Sequence, residues 1–331
     1  MTSDWTGKKV LVTGAGGFIG SHLVETLVKE GAQVRAFVRY NSRNDPGLLA
    51  LLSPGILSHV ELLAGDLRDR SAVQAAAHRV SHLFHLGALI AIPYSYQNPA
   101  EVVETNIMGT LNVLLAARDQ QVERMVHTSS SEVYGTALRV PINESHPLQG
   151  QSPYSASKIG ADKLAESFYC SYNLPVVTIR PFNTFGPRQS ARAVIPTIIT
   201  QALARSAIRL GNMNAWRDFT YVSDTVAGFL RIAQTPNITG QVINLGTGRE
   251  IRIGDIVKHI MTLLDHPIIV QVDTDRLRPE NSEVQRLVSD NRLALEKLGW
   301  KPNVTFEDGL EMTFEWIRSN LTRYATDRYV T

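Results

Sequence analysis

The sequence predicts an α/β protein, a Rossmann-like doubly wound parallel sheet with a smaller C-terminal α/β lobe. Three observations carry this expectation. Short β-branched runs alternate with helical patterns as far as Arg180. A glycine-rich turn, Gly14-Ala15-Gly16-Gly17-Phe18-Ile19-Gly20, joins the first apolar run to the first helical pattern. From Pro181 onward the alternation loosens into segments punctuated by proline and glycine. Alternating strands and helices bury a parallel sheet on both faces.

In order, Lys9–Thr13 reads as a strand, Ser21–Glu30 as a helix stopped by Gly31, and Gln33–Val38 as a second strand. Val60–Ala64, a helix around Ser71–Ala77, and His82–Leu86 repeat the unit. A helix near Asn106–Arg118 leads to a strand at Arg124–Thr128, and a further helix leads to Val176–Arg180. Beyond it, Ile195–Ser206 is helix-like and Gln241–Gly246 is a strand ending in glycine. Residues 1–182 with 219–248 are expected to form the cofactor domain, and 183–218 with 249–331 a lobe closing over it.

The chain has 331 residues, 44% hydrophobic and 19% charged, enough for a large core. A net charge of +2 with interspersed signs argues against nucleic acid and anionic membrane as partners. The polar start lacks a signal-peptide pattern and no apolar run is long enough to span a bilayer, so a cytoplasmic protein is expected. The one cysteine, Cys170, excludes an internal disulfide and reads as a small buried hydrophobe. The histidines complete no metal-ligand pattern, so no metal is expected.

Gly14-x-x-Gly17-x-x-Gly20 lies between a strand and a helix, where backbone amides cradle a pyrophosphate at the helix N-terminus. The second strand ends in Arg39, with Ser42 and Arg43 nearby and no acid before Asp45. An acid there bonds the ribose of NAD, whereas an arginine suits the 2′-phosphate of NADP. NADP is therefore favoured, and NAD stays open. Asp66-Leu67 follows the third strand and suits the adenine amino group.

Tyr154 and Lys158, four residues apart, share one helix face, where the ammonium can depress the phenol's pKa and make it a usable base. Upstream stand Ser129-Ser130-Ser131-Glu132-Val133-Tyr134-Gly135. The serines offer a hydroxyl to a reacting alcohol or ketone, and Glu132 offers a second base for a second chemical step.

With these motifs assembled, the chain resembles the extended short-chain dehydrogenase/reductases of the sugar-nucleotide epimerase/dehydratase family over essentially its whole length. The resemblance also rests on His85-Leu86-Gly87-Ala88, Asn106-x-x-Gly109-Thr110, Arg180-Pro181-Phe182-Asn183-Thr184-Phe185-Gly186-Pro187, Arg217-Asp218-Phe219-Thr220-Tyr221-Val222-x-Asp224 and Asn244-Leu245-Gly246. It implies that Gly14, Gly17, Phe18, Ile19, Gly20, Arg39, Ser42, Arg43, Asp66, Leu67, Leu86, Ala88, Asn106, Thr128, Tyr154 and Lys158 bind the cofactor. Galactose-type 4-epimerases resemble Ser-Ser-Ala-x-Val-Tyr-Gly in the serine segment, so Glu132 counts against simple epimerisation. UDP-glucuronate decarboxylases carry Tyr-Asp-Glu-Gly-Lys-Arg where this chain has Tyr-Ser-Ala-Ser-Lys. The chain is most similar to nucleotide-activated N-acetylglucosamine 4,6-dehydratases of the legionaminic-acid type, and the Arg39 segment is similar to NADP-using GDP-mannose 4,6-dehydratases.

The resemblance implies a nucleotide-sugar 4,6-dehydratase in which Tyr154, Lys158, Ser130 and Glu132 are catalytic. Ser131 stands where some dehydratases place an aspartic acid. Asn183, Arg192, Arg217 and Arg278, with Ser130 and Glu132, are expected to hold a nucleotide-diphosphate sugar, and Arg188 is a further candidate. The resemblance also implies a homodimer joined by a four-helix bundle of Pro99–Gln120 and Ser155–Asn173 from each protomer. A 4-epimerase or decarboxylase on the same scaffold is the alternative, and a non-catalytic NADP sensor a remote one.

Overall fold

The computed structural model describes residues 5–264 and 266–324. Strands β1 (Lys9–Thr13), β2 (Gln33–Arg39), β3 (Val60–Gly65), β4 (His82–His85), β5 (Arg124–Thr128) and β6 (Val176–Pro181) come first. They are followed by β7 (Asn183–Phe185), β8 (Ala207–Leu210), β9 (Trp216–Tyr221) and β10 (Val242–Leu245). The last are β11 (Glu250–Arg252), β12 (Ile269–Val272) and β13 (Arg286–Leu287). The main sheet has seven strands in the order β10-β6-β5-β4-β1-β2-β3, and every pairing in it is parallel. The expected doubly wound fold is therefore present. Its strands match the expected runs closely, because the central ones are buried on both faces and read as continuous apolar segments, while β3, at the sheet edge, is half exposed.

Two apolar layers explain the burial. On one face Val10, Val12, Leu23, Phe84 and Phe229 belong to a cluster that runs on to Phe306 and Phe314 near the C-terminus. On the other, Leu11, Leu83, Leu114 and Phe168 pack together. The helix Phe18–Lys29 lines the first face and Pro153–Tyr172 the second. That second helix starts on a capping box in which Ser152 and Ser155 satisfy each other's backbone, with Pro153 in the first turn, and it ends on Asn173 in the left-handed region. Its inward residues are Ala161, Asp162, Ala165 and Phe168. Cys170 lies two residues past Phe168, on the opposite face, and is exposed, contrary to the buried position expected of it.

A second sheet is centred on β9, which pairs with β7, β11 and β13. The chain leaves the main sheet after β6 and returns through the helix Val222–Gln234 to β10. The division expected between residues 218 and 219 thus falls inside β9. Asp218, fully buried on that strand, accepts hydrogen bonds from the amides of Thr247, Gly248 and Ser289 and so ties β9 to the turn after β10. The helix expected around Asn106 is longer: Pro99–Val103 and Gly109–Asp119 are joined through a π-helical turn at Glu104–Met108. No helix among the described residues is long and apolar enough to cross a membrane.

Candidate active site

The strand order of the main sheet reverses between β1 and β4, and at such a point the carboxyl ends of the strands open a crevice. Gly14 ends β1 there with φ +70°, and a Cβ on it would lie 2.7 Å from the Gly87 nitrogen after β4. A Cβ on Gly20 would come to 2.2 Å of the Gly14 carbonyl oxygen. Only glycine permits this packing of turn, helix and neighbouring strand. The helix that follows carries no acid in its first turn, which suits an anion at its N-terminus.

At the ends of β2 and β3 the structure gathers alternating charges. Arg39 Nη2 donates to Glu101 Oε1 at 3.1 Å, and Glu101 also accepts from the Tyr94 hydroxyl. Arg68 grips Asp66 with two donors at 3.0 and 2.7 Å, which holds the Asp66 carboxyl below its ordinary range. Ser42 and Arg43 are exposed beside Arg39. Asn106 is buried and saturated. Its Oδ1 accepts from Leu89 N, and its Nδ2 donates to Leu89 O and Ser157 Oγ. It therefore anchors the segment after β4 that carries Leu86 and Ala88.

Tyr154 and Lys158 lie where the helix periodicity puts them, both buried and close to the end of β5. Lys158 Nζ donates to the Thr128 carbonyl at 2.6 Å. The Tyr154 phenol contacts the Ser130 hydroxyl, and Glu132 stands near enough for its charge to act on the phenol. Burial dominates both pKa values. It pushes Tyr154 up to about 12 against the Ser130 hydrogen bond, and Lys158 down to about 8. The phenol's net shift is thus upward rather than the depression expected from the ammonium, because the cost of desolvating a phenolate dominates. Ser131 is buried at the head of the 3-10 turn Ser131–Tyr134, and the Ser130 hydroxyl accepts from the Glu132 amide at 3.2 Å.

The opposite wall comes from the second sheet. Arg217, buried on β9, feels the charges of Glu132, Arg278 and Glu283. Its Nη2 lies 3.5 Å from Glu283 Oε1. The fold thus brings Glu132, Arg217 and Arg278 together, as expected, and adds Glu283, which comes from a loop and left no sequence signal. Arg188 instead points back to the glycine-turn helix and pairs with Glu25 at 2.6 Å. Arg192 is exposed, its Nε 3.4 Å from Ser190 Oγ within its own loop.

Several side chains expected to hold cofactor or substrate carry a buried polar atom that has no protein partner: Thr128 Oγ1, Asn183 Oδ1, Arg188 Nη1 and Arg278 Nη1. Such atoms cost free energy unless a ligand satisfies them. Together with the glycine turn, they fit a dinucleotide and a polyanionic substrate side by side. Among the described residues no cluster of His, Cys, Asp or Glu is arranged to hold a metal ion.

Sequence reasoning missed a buried network under the site. Asp162, one turn beyond Lys158, pairs with Arg180 at 2.8 Å and accepts from Ser129 Oγ at the same distance. Its other oxygen lies 3.1 Å from His127 Nε2. Arg180 also donates to the Tyr134 hydroxyl, which donates to Asn244 Oδ1. The spacing Tyr154, Lys158, Asp162 was the available signal.

Comparison with known proteins agrees with this geometry. A family model described as GDP-mannose 4,6 dehydratase matches residues 11–313. A dTDP-D-glucose 4,6-dehydratase of Mus musculus is 30% identical over 323 residues, covering 95% of this chain and 89% of the mouse protein. The dTDP-glucose 4,6-dehydratase DesIV of Streptomyces venezuelae, solved with NAD bound, superposes with a TM-score of 0.83 at 28% identity, covering 96% of this chain and 99% of DesIV. A UDP-N-acetylglucosamine 4-epimerase of Methanobrevibacter ruminantium, solved with UDP-N-acetylmuramic acid, gives 0.85 at 30% identity, covering 95% of this chain and 99% of that one. With a glycine turn at the switch point, a Tyr154–Lys158 pair and this breadth of match, the chain belongs to the GDP-mannose 4,6 dehydratase family of NAD-dependent sugar-nucleotide epimerases and dehydratases.

Proposed function

We propose that the protein is a nucleotide-sugar 4,6-dehydratase, converting a nucleotide-diphosphate hexose, with N-acetylglucosamine as the preferred sugar, to its 4-keto-6-deoxy form. The observation that carries this reading is Glu132, a carboxylate close enough to the Tyr154 phenol to act on its charge. Oxidation at C4 needs one base. Loss of water across C5 and C6 needs a second, and that role is assigned to Glu132.

A bound nicotinamide dinucleotide supplies a hydride acceptor for the first step and a hydride donor for the last. Tyr154 takes the proton of the sugar 4-hydroxyl. Lys158 stays cationic up to about pH 8 and favours the phenolate as it forms. Ser130, already in contact with the phenol, donates to the developing 4-ketone. That ketone acidifies C5–H, Glu132 removes the proton, the C6 hydroxyl leaves as water, and the C5–C6 double bond so formed takes back the hydride at C6 and a solvent proton at C5. Ser131 is too weak an acid to protonate the leaving oxygen, so Glu132 is assigned to pass a proton to it. Asn183, Arg217 and Arg278 are assigned to the diphosphate, for which guanidinium forks are suited. Arg192 is assigned a further contact from the loop.

Arg39 with Ser42 and Arg43 supports NADP, while NAD remains compatible with the same turn. A homodimer is proposed through the helical segments 99–120 and 155–173, which expose Val103, Met108 and Tyr172. Light scattering in solution tests it, and a monomeric mass overturns it.

Purified protein is incubated with UDP- and GDP-N-acetylglucosamine, GDP-mannose, thymidine-diphosphoglucose and UDP-glucuronate without reductant, and each is weighed by mass spectrometry. Loss of one water from one of them is the expected result. A new isomer of unchanged mass supports the 4-epimerase reading instead, which the epimerase likeness favours, and release of carbon dioxide supports decarboxylation.

A further inference from the structure

We infer that Glu101 determines dinucleotide specificity by opposing the 2′-phosphate of NADP at Arg39, so that the adenosine end of the site admits NAD as well. The inference rests on the dinucleotide-binding reading of the glycine turn and not on which sugar is turned over.

Arg39 ends β2, where the ribose of a bound dinucleotide is read, and no acid follows it in the chain before Asp45. By sequence alone the position is cationic. The fold changes this. Glu101, on the helix Pro99–Val103, is delivered to the Arg39 guanidinium, with Nη2 to Oε1 at 3.1 Å. Its other oxygen is taken by the Tyr94 hydroxyl, so the carboxylate is held from two sides and its pKa lies below the ordinary range. Asp66 and Glu104 add negative charge around the same pair of arginines: Asp66 feels Arg39, and Glu104 lies 3.7 Å from Arg68.

The Arg39 side chain is 63% exposed and meets Glu101 near the surface, so the pair contributes little to stability. Its effect lies in the field a ligand meets. A ribose hydroxyl brings no charge and can donate to a carboxylate. A 2′-phosphate must take Arg39 from Glu101 and then sit close to that anion. For partly screened charges a few ångströms apart this is worth roughly a three- to tenfold change in affinity.

The test uses full-length protein freed of bound dinucleotide, the variants Glu101→Gln, Arg39→Ala and their double, and calorimetric dissociation constants for NAD and NADP at low and high salt. Glu101→Gln keeps an acceptor for Tyr94 and removes the charge. It should tighten NADP about three- to tenfold and leave NAD within about twofold, an effect that shrinks at high salt and is lost when Arg39 is alanine. An unchanged NADP-to-NAD ratio in Glu101→Gln overturns the inference, as does an equal gain in the Arg39→Ala background. Failure of both dinucleotides to bind the parent protein overturns this inference together with the dinucleotide reading. Normal binding with these shifts but no water loss from any sugar nucleotide removes only the dehydratase reading.

Discussion

Asp162 stands one helical turn beyond Lys158 on the buried face of the helix Pro153–Tyr172, and its carboxylate is the charge that opposes burial at the Lys158 ammonium. Around them His85 and His127 are both held neutral by burial, and the Thr128 carbonyl accepts from Nζ. Asp162 is itself kept ionised by Arg180, His127 and Ser129. The charge that opposes burial at Lys158 is therefore itself held by a buried network of His127, Arg180 and Ser129.

Replacing Asp162 by Asn should lower the Lys158 pKa further from about 8, because burial then acts without the opposing charge. The high-pH fall of kcat should move down by about one pH unit, with KM little changed. The variant should also lose roughly 3 kcal/mol of stability, since Arg180 is left buried without its counter-charge. A kcat profile that falls at the same pH as the parent's removes Asp162 from this role.

Glu132→Gln separates the two bases. In the proposed mechanism hydride transfer from C4 needs Tyr154 and Lys158, and water loss needs a carboxylate at Glu132. The variant should still reduce bound dinucleotide when substrate is added, seen as reduced-nicotinamide absorbance, while its rate of water loss falls at least about 10²-fold. Loss of both steps together sinks the assignment.

Arg278→Lys tests the substrate wall. Arg278 Nη1 is buried without a protein partner, as expected of a fork waiting for a diphosphate. Lysine keeps the charge and loses the paired donors. KM should rise about tenfold with kcat within about threefold, measured by steady-state kinetics.

Much of this was legible in the sequence, for identifiable reasons. The runs forming β1, β4, β5 and β6 are largely buried and so read as strands without their partners, and β3, an edge strand with a half-exposed pattern, reads from its apolar run alone. The glycine turn was readable because backbone approaches such as Gly20 to the Gly14 carbonyl admit no side chain. Contacts across long sequence separations were not. Glu101 meets Arg39 from 62 residues away, and Glu283 meets Arg217 from 66. Arg188 carries the same charge as Arg217, yet turns to Glu25. The Tyr154–Lys158 spacing was correctly read as one helix face, but spacing does not report depth, and depth sets both pKa values.

That depth gives a last prediction, concerning stability. In the unfolded chain Lys158 titrates near its ordinary 10.5, and in the fold near 8. Between these values the unfolded state binds more protons than the folded one, so this residue makes stability rise with pH across that window. Below about pH 8 the lysine is charged in both states, and its burial costs the fold in full. Lys158→Met removes the charge and also leaves the Thr128 carbonyl without its donor. Setting one against the other, the variant should be roughly 1–2 kcal/mol more stable than the parent at neutral pH, though inactive. Its advantage should shrink steadily between pH 8 and pH 10.5, measured by urea unfolding at each pH. An advantage that does not shrink across this window, or a variant less stable at neutral pH, would mean that the ammonium is solvated in the folded protein. The chain would then have placed its activating charge at no cost to its own stability.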